Sequence, residues 1–280
     1  MPKQKLKLFY IIVGGFLILC LAGSFLVGER PKAETIQEVM RDAVLHEGGK
    51  ISFFGILEVN PAVISGMIVT GVLLLLAAII RIFVIPRFRI VPGKLQLLLE
   101  AWVSFFSDMA KTNSPHHHSF LGAYIFAAGS YIFFGTVFEL FGLQWVTVAG
   151  HSITLPAPLS DINGAISIGC LSYLVILLGG IVVNKFYGAL NGLKEFSLPI
   201  SLSFRLFGAL LSGLLVTELV YYSIRLSFLL PVAVGVLFTL LHALIQTYVL
   251  TTLTSIFFGE VTEHHEKTEK RKKKEKQVSA

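Results

Sequence analysis

Charge is what this chain of 280 residues has least of. Charged side chains make up 14% of it, against roughly 25% in soluble domains, which excludes an ordinary water-soluble globule. Cysteine is nearly absent as well. The two that occur, Cys20 and Cys170, lie inside apolar runs, so neither a disulfide framework nor a cysteine metal quartet is suggested, and buried thiols are expected. No internal repeat stands out, which weighs against a transporter built from inverted halves. The formal net charge of +6 is gathered at the two ends and in short loops, where it reports topology and not a nucleic-acid surface. What fills the chain instead is apolar surface: 54% hydrophobic residues and a mean hydropathy of +0.76. The apolar runs are span-sized. The expected fold class is an all-α integral membrane protein of about six helices.

Taken in order, Lys3, Lys5 and Lys7 precede an apolar run from Leu8 to Val27, about 30 Å as a helix and long enough to span. Residues 1–28 are expected to be an N-terminal transmembrane helix, with a cleaved signal peptide as the alternative, since Leu-Ala-Gly-Ser at 21–24 offers small residues for cleavage. Residues 29–60 are mixed polar, with a short amphipathic piece around Ile36 to Leu45, and are read as an external segment. Pro61 opens a second span, Ala62 to Ile85, closed by Arg81, Arg87, Arg89 and Lys94, a cluster that the positive-inside rule puts in the cytoplasm. Leu95 to Met109 alternates apolar and polar residues in a helical period and predicts a helix at the interface.

His116, His117 and His118 are adjacent, so their imidazoles point around a helix and do not converge on a metal; a polar loop is expected. Phe120 to Leu143 predicts a third span, with Glu139 near its outer end, followed by an external turn over residues 144–160. Ile162 to Val183 is a fourth span, preceded by Asp161 and carrying Asn163 in its first turn, and Lys185 to Glu195 returns inside. Two long apolar stretches follow, Leu198 to Ile224 and Leu226 to Phe258, both beyond the usual span and so expected to tilt. Residues 260–280 form a charged tail expected in the cytoplasm.

Within this apolar background stands one cation, Arg205. From Leu206 to Ile224 the only other ionisable side chains are Glu218 and two tyrosines, so the guanidinium cannot reach water at a helix end. Such a group costs roughly 2.5 to 3.5 kcal/mol at the centre of a span and faces a partner, a cavity or a pathway. Arginine keeps its proton at any physiological pH, so the site offers permanent positive charge and no proton relay. Ser201, Gly208, Ala209 and Ser212 share its helical face; a stripe of small residues lets another backbone come close. In the last helix His242 and Gln246 are an i, i+4 pair, and Thr247, Thr251, Thr254 and Ser255 form a second polar row. Together they make this helix polar enough to line an aqueous crevice or to face Arg205, although threonines often satisfy themselves on the preceding turn.

Ser201-Leu-Ser-Phe-Arg-Leu-Phe-Gly208, followed about forty residues later by Gln246-Thr-Tyr-Val-Leu-Thr-Thr-Leu-Thr-Ser255, resembles subunit a of the membrane sector of F-type ATP synthases. Val91-Pro-Gly-Lys-Leu-Gln96 and Pro158-Leu-Ser-Asp-Ile-Asn163 extend the resemblance, which covers roughly residues 50 to 260. It implies that residues 61–259 form an ion-translocation domain whose two long C-terminal helices pack against a ring of c subunits. Arg205 would face the ring carboxylates, and Gln246, Glu139, Asp161, Asn163, His242 and Glu218 would belong to two offset half-channels for H+ or Na+. It further implies a non-catalytic subunit with no nucleotide site, no cofactor and no metal. The partners would be the c-ring, a subunit b peripheral stalk and membrane lipid, without nucleic acid, in a bacterial cell membrane with the C-terminus cytoplasmic.

The chain departs from the family pattern at Ala209, where Asn is usual, and at Leu214 and Thr239, where ionisable residues are common. Glu139 stands where the third-span motif commonly has Asn. These departures suggest that the outer half-channel has moved its carboxylate to Glu139, assisted by Glu218 or His242. Two other readings of the residues stay open: a stand-alone channel or secondary transporter with an intramembrane Arg anion site, and a structural subunit in which Arg205 pairs permanently with Glu218 or Glu139.

Overall fold

The computed structural model describes residues 51–53, 57–146, 148, 152–222 and 230–263, with isolated positions before them (14, 15, 18, 22, 23, 35 and 37). The N-terminal segment, the amphipathic piece around Ile36 to Leu45 and the charged tail after residue 263 therefore lie almost wholly outside the described residues. The chain divides into two compact units, residues 1–48 with 211–238 and residues 49–210 with 239–280. In the smaller unit Val220 is buried and Leu219 exposed; the Glu218 side chain is outside the described set.

The larger unit opens with a short antiparallel pair, β1 (Ile51–Phe53) and β2 (Leu57–Val59), in which Ile51 lies opposite Val59. Asn60 then caps α1 (Pro61–Ile79), its side chain accepting from the Ala62 amide at 3.0 Å, and Pro61 sits at the first helical position, where a missing N–H costs nothing. The helical path continues through a π turn (Ile80–Val84) and a 3-10 turn (Ile85–Arg87). Gln96 ties the loop that follows, donating to the Arg89 carbonyl and accepting from the Arg89 amide, both at 3.0 Å. That two-way bond gives a physical reason for a glutamine at the end of the Val-Pro-Gly-Lys-Leu-Gln block.

The expected amphipathic helix is α2 (Lys94–Asn113). Phe106 and Ala110 are buried, whereas Leu95, Leu97, Leu98 and Val103 are exposed. The indole N–H of Trp102 donates to Ser130 Oγ at 3.1 Å on α3 (His118–Val137). The three histidines fall in the turn between these helices and at the start of α3, where His118 Nδ1 lies 2.8 Å from the Pro115 carbonyl oxygen. A 3-10 turn (Phe138–Phe141) and Gly142, at φ 57°, end the span. The loop of 144–160 is more ordered than a plain turn: β3 (Gln144–Val146) pairs antiparallel with β4 (Ser152–Thr154).

α4 (Ile162–Lys194) holds the main departure from the expected course. Its first arm matches the fourth span, but at Lys185 the backbone turns to φ 51°, ψ −122°, and the segment expected to return inside is helical over residues 186–194. The return doubles back closely, with Gly188 against the Gly180 carbonyl so near that a methyl group would overlap it. α5 (Ser197–Tyr222) and α6 (Leu230–Thr262) complete the chain. Three buried clusters follow one another along the larger unit: one around Phe106, Ile176, Leu202 and Phe258, one around Ile132, Leu206, Leu210 and Leu250, and one around Ile51, Val69 and Phe138.

Four helical stretches among the described residues are long and apolar enough to cross a membrane: Pro61–Arg87, His118–Phe141, Ile162–Lys194 and Gly235–Thr262, with Ser197–Gly213 a shorter apolar one. The fold is that of an all-helical membrane protein, to which the two short strand pairs are a minor addition.

Candidate functional site

α5 presents Arg205 because of a leucine row. Leu198, Leu202, Leu206 and Leu210 recur every four residues and are all buried, which turns one stripe of the helix to the bundle. Ser201, Phe204, Arg205 and Gly208 fall on the other side and are exposed. Beyond Gly208 there is open space, with nothing within 4 Å of where a Cβ would stand. Among the described residues no carboxylate pairs with Arg205. The arginine is therefore an outward cation with the small residues Ser201 and Gly208 one turn to either side and the exposed Phe204 beside it.

α6 treats its polar residues in the opposite way. Gln246 is only 5% exposed, and Thr247, Thr251, Thr254 and Ser255 are all buried. Thr247 Oγ1 donates to the Gly129 carbonyl at 3.4 Å, Thr251 Oγ1 to the Thr247 carbonyl at 2.7 Å, and Ser255 Oγ to the Met109 carbonyl at 3.2 Å. The threonine row is thus a seam between helices, not the lining of a crevice. Among the described residues the Thr254 hydroxyl has no hydrogen-bond partner. His242, one turn before Gln246, is half-buried. Leu206 and Leu210 share a buried cluster with Leu250, so α5 and α6 meet beside Arg205 and one turn from Gln246.

Asp161 and Asn163 come together at the start of α4. Asp161 caps the helix, its Oδ1 accepting from the Asn163 amide at 3.2 Å and from Asn163 Nδ2 at 3.3 Å. Both line an open cavity of about 590 Å³ against α1, with Thr70, Tyr131 and Ser167. Sequence reasoning passed over those last three; their hydroxyls lie in apolar spans, and only the packing of Gly66 beside Tyr131 and Pro158 brings them to one place.

Glu139 does not line this cavity. It sits in the 3-10 turn after α3, half-buried, one turn beyond Gly135, which packs on Pro158. It therefore belongs to the same end of the bundle as Asp161 but not to the same pocket. Glu218 cannot be compared, since its side chain is outside the described residues.

With this geometry stands one finding from comparison: residues 64–259 match the family model described as ATP synthase A chain. The matched region holds Arg205, Gln246, the Asp161 cavity and all four of the span-length helices except their outermost residues.

Proposed function

The chain belongs to the ATP synthase A chain family, and from that premise we propose that it is the stator half of a rotary ion path, with Arg205 facing the carboxylates of a c-ring. Membership makes it an ion-translocating, multi-pass subunit of the membrane sector. The observation that carries the finer reading is the outward, small-residue face of α5, on which Arg205 has no carboxylate partner among the described residues. A cation held in an apolar belt needs a counter-charge, and a face of Ser201 and Gly208 lets a second helix bring one close.

Each ring carboxylate can turn through lipid only when neutralised by H+ or Na+. On meeting Arg205 the carboxylate is favoured in its charged form, so its ion is released into one half-channel. The same fixed charge bars direct passage between the two half-channels. A charge crossing the membrane gains about 2.3 kcal/mol per 100 mV, and several per turn supply the energy for ATP synthesis elsewhere in the complex. The Asp161 cavity supports an access route on one side; the cluster Arg81, Arg87, Arg89 and Lys94 lies toward the other end of α1, which the positive-inside rule assigns to the cytoplasm. The C-terminus then falls on the cytoplasmic face, and subunit b of the peripheral stalk would hold the chain against rotation.

The test is ATP-driven ion pumping and passive ion flux in vesicles that carry the assembled complex. Arg205→Ala should abolish pumping and open a passive leak. Arg205→Lys should also fail, because lysine lacks the planar fork and loses its proton more readily when desolvated. Near-normal pumping by Arg205→Ala would sink the proposal.

A further inference from the structure

The end of α6 remote from the Asp161 cavity is held by more contacts than a helix end needs. The last four carbonyls of any helix lack partners within it. Here Asn184 Nδ2 donates to the carbonyls of Val261 and Glu263, both at 2.9 Å. On another side of the same turns, Asn113 Nδ2 donates to Ser255 Oγ at 3.0 Å, Ser114 Oγ lies 3.4 Å from Thr262 Oγ1, and Gly259 abuts the Asn113 carbonyl. Asn184 stands at a backbone reversal. It precedes Lys185, whose φ of 51° is a conformation that costs a residue other than glycine of order 1 to 3 kcal/mol and persists only where the surroundings enforce it. That reversal sets Gly188 on Gly180, and Gly180 on the Val261 side chain.

We propose that Asn184 is a positioning residue for ion transfer: by holding the last turn of α6 it fixes the height and rotation of that helix, and with them the place of Gln246 relative to Arg205. This rests on the proposed function, in which Arg205 meets the ring carboxylate, and on the packing of Leu206 and Leu210 with Leu250, which sets α6 beside Arg205 one turn from Gln246. Val261 lies fifteen residues beyond Gln246 (261 − 246), roughly 22 Å along a helix, and a packed helix transmits a shift at its end with little loss. A slip of one residue raises the helix by about 1.5 Å and turns it by about 100°, enough to take the Gln246 amide off its heading.

The assay uses the assembled complex in vesicles and scores the initial rate of ATP-driven pumping at matched amounts of complex. Asn184→Asp keeps the size of the side chain but aims an acceptor at two carbonyl oxygens; Asn184→Ala removes the contact; Asn184→Gln keeps an amide on a longer stem. Since displacements near 1 Å can cost up to about a hundredfold in rate, the pumping rate per complex should fall about five- to tenfold in Asn184→Asp and less in Asn184→Ala, with Asn184→Gln recovering at least half. A second readout follows helix position. With Cys20→Ser and Cys170→Ser in place, Tyr248→Cys, at a site 54% exposed, should change its maleimide labelling rate severalfold when combined with Asn184→Ala.

A purely structural asparagine would lower the amount of assembled complex while leaving the pumping rate per complex and the labelling as they were, and that result overturns the proposal. If Asn184→Asp does not assemble, a normal pumping rate per complex in Asn184→Ala overturns it equally. Arg205→Ala in the same vesicles separates the two levels. Normal pumping there removes the transfer site and the positioning role together; an inactive Arg205→Ala beside normal Asn184 variants removes the positioning role alone.

Discussion

α5 and α6 carry polar residues in helices of similar apolar character, yet one turns them outward and the other inward. On α5 the buried row is leucine, Leu198 to Leu210, and the exposed side holds Ser201, Phe204, Arg205 and Gly208. On α6 the buried row holds Gln246, Thr247, Thr251, Thr254 and Ser255, while Leu240, Leu241, Leu244, Tyr248 and Ile256 are exposed. The second arrangement suits a helix in lipid, where polar side chains find partners on neighbouring helices. The first does not suit lipid at all. An exposed arginine with leucine packed behind it calls for a counter-charge from outside the chain, and this is the face to which the proposed function brings the ring.

The largest break in that contrast would come from filling the outward face of α5. Gly208→Leu meets open space in this chain, so the isolated subunit should fold and insert normally. Against a ring, the added side chain holds the two backbones apart, and the loss of contact between Arg205 and its carboxylate should lower pumping more than tenfold, as a cost above about 1.4 kcal/mol would. Vesicle pumping against complex yield measures this. Unchanged pumping by Gly208→Leu would mean that the face is covered by lipid alone.

Much of this was legible in the sequence. The four described spans, the amphipathic helix and the solitary cation Arg205 follow from composition and from 3.6-residue periodicity, which need no tertiary information. What periodicity cannot supply is which of two polar faces turns inward. Thr247 to Ser255 look like a channel lining when counted along a wheel, but a threonine that bonds its own backbone is neutral in this respect, and packing against Met109 and Gly129 decides. The reversal at Lys185 was hidden for a similar reason: a lysine gives no turn signal, and the four glycines at 179, 180, 188 and 192 acquire meaning only once the two arms touch. The Tyr131 cavity depends on three elements far apart in the chain and has no local signature.

A smaller effect is expected at Glu139, which lies on neither of the contrasted faces but near the Asp161 end. Its place in a half-buried 3-10 turn makes it the carboxylate nearest in the chain to the Asp161 loop. If it serves the access route, Glu139→Gln should slow coupled transport severalfold, less than the roughly 10²-fold that a group transferring the proton itself supplies, and leave assembly intact. Initial pumping rates at matched complex content measure this. Wild-type rates would reduce Glu139 to a carboxylate of the interface and leave the Asp161 cavity to act without it.

The smallest effects sharpen the inward half of the comparison, because two neighbouring threonines of α6 should respond with opposite sign. Thr251 is satisfied by the carbonyl of Thr247, so Thr251→Val gives up a hydrogen bond and should destabilise the chain by about 1 kcal/mol or less, the net scale of an intramolecular hydrogen bond. Thr254 is fully buried with an unpartnered hydroxyl among the described residues, and a buried polar group left unmade is costly. Thr254→Val keeps the shape and removes the group, so it should be neutral or stabilising. Unfolding of the detergent-solubilised complex by graded denaturant compares the two, and pumping should be unchanged in both. Equal destabilisation by the two valines would show that the Thr254 hydroxyl has a partner after all, and a loss of pumping in either would place the threonine row on the ion path and erase the distinction between the two helices.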